Sequence, residues 1–270
     1  MKDNLLYAAA IQMVSASNVD SNLEQVKALI KVAAAKGAKF ILLPENFAFM
    51  GGGASETLAI AEKHQDGKIQ NFVSELAVKH KVTIAAGSIP IISSAEKATA
   101  SCLVYNENGE EVARYDKKHL FDVYIKDSQE SYKESDTYDS GNKIEVIETS
   151  IGKVGLSICY DIRFPEMYRE MHKQGVQIIV APSAFTEQTG RVHWEPLLKA
   201  RAIENLCYVI AANQGGIHSN GRKTYGHSMI IDPWGKIISR IGTGAGVIVS
   251  QIDLQLQEKI RQEFPALQHC

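Results

Sequence analysis

The stretch 155-GLSICYDIRFPE-166 passes from an apolar run into charge within one residue. Val154, Gly155, Leu156, Ser157 and Ile158 read as the end of a buried strand, and Pro165 opens a helix expected to run to Gln174. Between them stands Cys159, followed at once by Tyr160, Asp161 and Arg163. A strand handing over to a helix is one unit of an α/β sheet. The cysteine at the junction is then either buried filler or a nucleophile presented at the strand's carboxyl end.

The alternation extends in both directions. Leu5 to Met13 reads as a strand, Ser21 to Lys36 as a helix stopped by Gly37, and Phe40 to Leu43 as a short buried strand. A helix is expected from Lys68 to His80, then a strand from Val82 to Ile89. Ser101 to Tyr105 and Glu111 to Tyr115 form a hairpin through 106-NENG-109. Phe121 to Asn142 is polar and aperiodic, and its length is that of a binding loop. Beyond it come strands at Ile144–Ile147, Lys153–Ile158 and Gln177–Val180, then a helix from His193 to Asn205. Cys207–Ala212, Tyr225–Ile231, Lys236–Ser239 and Val247–Ile252 read as further strands, with a turn at 232-DPWG-235, and Leu254–Glu263 as a last helix. Helices alternating with both parallel-type crossovers and hairpins specify mixed α/β, read as one domain over residues 1–270.

Composition narrows the function. A net charge of −2, with no Lys/Arg run longer than two residues, argues against nucleic-acid binding. Cys102, Cys159, Cys207 and Cys270 are widely spaced, so neither a disulfide scaffold nor a zinc site is indicated, and a reducing compartment fits. Met1-Lys2, the apolar Leu5–Ile11 and Ser15-Ala16-Ser17 imitate a secretory signal, but Asp3 and Gln12 break the pattern. No run reaches the roughly 18 apolar residues of a membrane span. The expectation is a cytoplasmic, soluble protein.

Three reactive residues share one setting. Glu45 follows 40-FILLP-44, Lys117 follows 111-EVARYD-116, and Cys159 follows 153-KVGLSI-158. Each stands where a strand ends, the position at which α/β sheets gather their ligands. A thiol with an ordinary pKa of about 8.5 needs help to ionise. A carboxylate can take its proton and return it to a leaving amine, and an ammonium can hold the oxyanion formed on a carbonyl. Glu, Lys and Cys together form a set able to hydrolyse an amide.

These stretches, 42-LLPENF-47, 115-YDKKHLFDV-123 and 156-LSICYDIRFPE-166, resemble in order and spacing the Glu, Lys and Cys motifs of the nitrilase superfamily of carbon–nitrogen hydrolases, over nearly the whole chain. The resemblance implies a four-layer α-β-β-α sandwich of two mixed sheets, dimerisation through helices, and no cofactor or metal. It implies Glu45 as general base, Lys117 rather than Lys118 as oxyanion stabiliser, Cys159 as nucleophile and the Tyr160 backbone N–H as second oxyanion donor. In 134-ESDTYDSG-141 it implies Glu134 as a positioning carboxylate, with Glu130 as a poorer-spaced alternative. The C-terminal half, through 193-HWEPLLKARAIEN-205, 225-YGHSMIIDPWG-235 and 264-FPALQH-269, looks most like the Nit-type amidases, whose substrates carry an α-ketoglutaramate-type group. Such a small-molecule amide presents carboxylates. Arg163 suits one of them, with Phe185 and Thr189 at pocket-lining positions.

Plainer readings attach to the remaining residues. Cys102 and Cys207 read as strand filler, and Cys270 as a terminal residue without a role. His119 reads as a hydrogen-bonding support, and Trp194 as core or interface. Gly51–Gly53 lack the Lys-Ser/Thr of a phosphate loop and read as a flexible access loop. His218 and Asn220 to Lys223 read as a solvated turn near the pocket mouth. Arg163 has a structural alternative in pairing with Asp161 or Glu166. Competing functions are an ω-amidase, an N-carbamoyl amino-acid hydrolase, a thiol-redox enzyme disfavoured by the lack of a resolving cysteine, and a catalytically silent interaction module.

Overall fold

The structure, a computed structural model, describes residues 6–125 and 130–269. The signal-like Met1-Lys2 and Asp3, and Cys270, therefore lie outside the described residues. The first sheet takes β1 (Leu6–Gln12), β2 (Phe40–Leu42), β3 (Thr83–Ala85), β4 (Ile89–Ile92), β5 (Ala98–Tyr105) and β6 (Glu111–Asp116). A hairpin, β7 (Asp122–Ile125) and β8 (Glu130–Lys133), follows. The second sheet begins with β9 (Val146–Thr149), β10 (Gly152–Leu156), β11 (Ile178–Val180) and β12 (Tyr208–Ala211). A second hairpin, β13 (Gly215–Ile217) and β14 (Lys223–Tyr225), precedes β15 (Met229–Ile231) and β16 (Ile237–Arg240). The last strand, β17 (Gly246–Ile252), returns to the first sheet. The helices are α1 (Val19–Ala35), α2 (Ala54–Ala59), α3 (Lys68–His80), α4 (Pro165–Lys173), the single turn α5 (Glu187–Thr189), α6 (Glu195–Asn205) and α7 (Leu254–Glu263).

The first sheet runs β17-β1-β2-β3-β5-β4, with β6 on β5, and the second runs β16-β15-β12-β11-β10-β9. Each has three parallel strands at its centre, β1-β2-β3 in one and β10-β11-β12 in the other, flanked by antiparallel partners. Side-chain alternation explains the layering. Ala8, Ala10, Phe40 and Leu42 face inward and share a core with Val154, Leu156, Ile178 and Val180 of the second sheet. Ala9, Ile11, Ile41 and Leu43 face outward, against Leu23, Val26 and Ile30 of α1 and Val73, Leu76 and Ala77 of α3. Strands apolar on both faces need cover on both faces. On the far side α4 and α6 supply Tyr168, Met171, Leu198 and Ala202. The result is the four-layer α-β-β-α sandwich of two mixed sheets.

The structure differs from the sequence reading in several places. Helix α1 begins at Val19 rather than Ser21, because Asn18 caps it by accepting from the Ser21 N–H at 2.9 Å. The apolar segment 82–89 is two strands, broken at Gly87, whose φ of +46° turns the chain. Segment 225–231 is likewise divided by the left-handed Gly226 and His227, and only 229–231 joins the second sheet. The aperiodic 121–142 contains the β7–β8 hairpin, whose Tyr124 is exposed, so no face-by-face pattern marks it. His218 is not solvated: it is buried, with its ring nitrogens on the Ser15 carbonyl and the Thr224 hydroxyl. Trp194, by contrast, is core as expected: it is fully buried and donates to the His227 carbonyl at 2.8 Å.

A Cβ on Gly87 would lie 2.0 Å from the Pro44 carbonyl oxygen, immediately before Glu45. Left-handed backbone and overlap with a rigid carbonyl both penalise an L side chain there. Gly87→Ala is expected to cost about 2–4 kcal/mol. The measurement is urea unfolding, with a lower midpoint at unchanged slope.

Candidate active site

The carboxyl ends of the two parallel triplets meet in the interior. Gln214, just beyond β12, donates to the Ser15 hydroxyl at 2.8 Å and to the Glu45 carbonyl at 3.0 Å, and accepts from the Ser15 N–H at 3.1 Å. This staple fixes the turn after β2, where Asn46 is left-handed at φ +56° and its N–H donates to the Ser88 hydroxyl at 2.8 Å. Glu45 consequently points into the protein.

Lys117 is reached through period-2 alternation: Ala113 and Tyr115 of β6 face the core, and Lys117 continues that face. Its side chain is 1% exposed. The ammonium donates to Glu45 Oε1 at 2.8 Å and to both oxygens of Glu134 at 2.9 and 2.8 Å. Burial alone would lower the Lys117 pKa, but the Glu134 and Glu45 charges outweigh it and hold it well above its usual value. Glu134 also accepts from the Phe121 N–H at 2.8 Å. Gly141 donates to the Lys117 carbonyl at 2.9 Å, and a Cβ there would lie 2.1 Å from the Asp116 carbonyl oxygen. That close approach explains the downstream glycine. The alternative, Glu130, has its side chain outside the described residues.

Cys159 occupies a sharp turn at φ +48°, a conformation that costs an L residue about 1–2 kcal/mol. Its N–H donates to the Pro182 carbonyl at 2.8 Å. Fully buried Asp161 stabilises the turn by accepting from the Ile158 N–H at 2.9 Å, from the Tyr115 hydroxyl at 2.7 Å and from the His119 N–H at 3.0 Å. His119 Nδ1 lies 2.7 Å from the same carboxylate, and its ring stacks on Phe164 at 3.7 Å, so His119 is a support. Asp161 thus ties the cysteine turn to the lysine loop. Burial first, and the Glu45 charge second, push the Cys159 thiol well above its ordinary pKa, against the pull of Lys117 and of an Ala184 N–H directed at the sulfur. The resting group is therefore a thiol beside a carboxylate, rather than a free thiolate. The Tyr160 N–H has no acceptor among the described residues. Cys102 and Cys207 are fully buried, with burial pushing each to about 12.

Glu45, Glu134, Cys159, Tyr160, Arg163, Phe185 and Thr189, all anticipated from the sequence, line one narrow cleft. Its free volume is about 20 Å³, and it shares Phe121, Glu134 and Arg222 with an outer groove of about 670 Å³. Gly51–Gly53 lie along that groove. Arg163 pairs with neither Asp161 nor Glu166. Its guanidinium lies 5.4 Å from the Phe185 ring centre and 5.7 Å from that of Tyr160, with Nη1 3.2 Å from His193 Nδ1. Burial, then the Arg163 charge, lower the His193 pKa, so this partner is neutral. The Thr189 hydroxyl is 2.9 Å from that of Thr186. Sequence reasoning missed the Ala184 N–H, Asp161 as organiser, and Arg222. Tertiary contact alone brings them in, and only the Gly221-Arg222 turn marked the last locally. No group of three His, Cys, Asp or Glu among the described residues is placed to hold a metal ion. No helix among them is long and apolar enough to cross a membrane.

Comparison with known proteins agrees with this geometry. The carbon–nitrogen hydrolase family model matches residues 7–262. A deaminated glutathione amidase of Synechocystis is 44% identical over 269 residues, covering 97% of each chain. One of Yersinia enterocolitica is 42% identical, over 97% of this chain and 91% of that one. The crystal structure of Saccharomyces cerevisiae Nit3, a member of the nitrilase superfamily, superposes with a TM-score of 0.86 at 29% identity, over 97% of this chain and 94% of that one. The chain belongs to the carbon–nitrogen hydrolase family.

The electrostatics of the cleft give a pH test. Glu45→Gln removes one of the influences that raise Cys159, so the midpoint for its alkylation by iodoacetamide moves to lower pH than in the wild type. Site-resolved mass spectrometry across a pH series reads it, and an unmoved midpoint contradicts the assignment.

Proposed function

We propose that the protein is a cysteine amidase for linear amides bearing an α-ketoglutaramyl group, most closely deaminated glutathione. What supports this is the buried Glu45–Lys117–Glu134 cluster beside a half-buried thiol, with Arg163 unpaired by any carboxylate in the same cleft. Two relatives named for that activity point to the same substrate.

Cys159 gives its proton to Glu45 as Sγ attacks the amide carbonyl. The oxyanion is held by the Lys117 ammonium and the Tyr160 N–H, donors of a kind worth about 2.7–4 kcal/mol each. Collapse breaks the C–N bond while Glu45 returns its proton to the leaving nitrogen. Ammonia leaves from a primary amide, and from deaminated glutathione the same step releases cysteinylglycine. Water, deprotonated by Glu45, then hydrolyses the thioester and restores the thiol. Glu134 acts as a positioning residue: it holds the Lys117 ammonium through both of its carboxylate oxygens. Arg163 binds the carboxylate of the acyl group over Phe185 and Thr189.

The chain further acts, on this reading, as a single cytoplasmic domain that pairs with a second copy. Supporting the pairing are Trp234, Phe264 and Ile203, large apolar residues left exposed, with the first two rings edge to face at 5.6 Å. Unpaired Cys102, Cys159 and Cys207 suit a reducing compartment.

Cys159→Ala should abolish turnover with circular dichroism unchanged, and retained turnover ends the mechanism. Assayed side by side, deaminated glutathione should exceed α-ketoglutaramate and an N-carbamoyl amino acid in kcat/KM. Arg163→Ala should reduce turnover of acidic amides about 10-fold or more relative to neutral ones. Equal losses would make Arg163 structural.

A further inference from the structure

Arg222 lines the same cleft as Arg163. It lies in the tight turn between β13 and β14 and borders both the inner cleft and the outer groove. Its Nη2 donates to the Ala184 carbonyl at 3.2 Å, Nη1 lies 3.9 Å from the Met50 sulfur, and its guanidinium sits 5.2 Å from the Tyr132 ring centre. Nε is buried and has no hydrogen-bond partner among the described residues. No carboxylate pairs with Arg222 among the described residues. A guanidinium held this way has spare donors and an uncompensated charge beside the reacting thiol.

Its place relative to Glu45 gives the direction. Met50, which Arg222 touches, lies in the segment 45–51 that continues from the general base, and Asn220 of the same turn donates to the Gly51 carbonyl at 2.7 Å. The leaving nitrogen must face Glu45 to receive its proton. Whatever is attached to that nitrogen therefore runs outward along segment 45–51, past Arg222, into the groove. Arg163 sits four residues beyond Cys159, against Phe185 and His193, on the acyl side. Building on the amidase reading, we infer that Arg222 binds a carboxylate on the leaving-amine half of the substrate, making the enzyme selective for peptidyl amides with a free C-terminus. A dipeptide leaving group spans about 7 Å when extended.

The test compares kcat/KM on three substrates in wild type, Arg222→Met and Arg222→Lys: deaminated glutathione, its C-terminal glycinamide analogue, and α-ketoglutaramate. Wild type should prefer the free acid to the glycinamide by about 10- to 100-fold, expressed mainly in KM. In Arg222→Met that preference should collapse to near unity, with a loss on deaminated glutathione at least 10-fold greater than on α-ketoglutaramate, and Arg222→Lys should recover part of it. Equal losses on all three substrates, or no wild-type preference for the free acid, overturn the role of Arg222 while leaving the amidase intact. Wild-type turnover of none of the three overturns the underlying substrate reading as well.

Discussion

Everything at the centre of this protein is arranged around one buried ammonium. Lys117 is almost wholly removed from water, and a charge there is tolerable only with close, well-directed partners. Glu45 and Glu134 provide them from different parts of the chain, so the site assembles only when β2, β6 and the turn after β8 are all in place. Removing one partner of such a buried pair typically costs about 3–5 kcal/mol. The cluster carries one positive and two negative charges, and its excess negative charge bears directly on the cysteine. Burial first, and the Glu45 charge second, hold Cys159 as a thiol against the pull of Lys117.

The second organising element is Asp161, the fully buried carboxylate two residues beyond the nucleophile. By accepting from Tyr115, His119 and Ile158 it couples the strained cysteine turn to the loop that delivers the lysine. Strain at φ +48° is tolerated because the surrounding hydrogen bonds overdetermine the turn. The cleft thus comes preassembled. Two arginines, Arg163 and Arg222, border the cleft without carboxylate partners among the described residues.

Much of this was legible in the chain, and the reasons are local. Strand ends could be read from apolar runs, and Glu45, Lys117 and Cys159 each close one. The choice of Lys117 over Lys118 comes from the resemblance in 117-KKHLF-121, and the structure puts Lys117 on the core-facing side begun by Ala113 and Tyr115. Regions that misled lacked a periodic signal. The segment 82–89 is apolar apart from Thr83 and the Gly87-Ser88 pair, so the turn at Gly87 left only a weak mark in hydropathy, and the β7–β8 hairpin is polar on an exposed face.

Taken alone, the sequence determined the alternating α/β class and the family, because these depend on residue order and short-range periodicity. Only the tertiary structure decided which polar residues were to be buried. Asp161, His218 and Arg222 read as ordinary charged or turn residues in a linear chain, since burial and partnership are properties of contacts between distant segments. Whether an arginine is neutralised or left with its charge directed into a cleft is settled by what the fold places, or fails to place, within hydrogen-bonding distance.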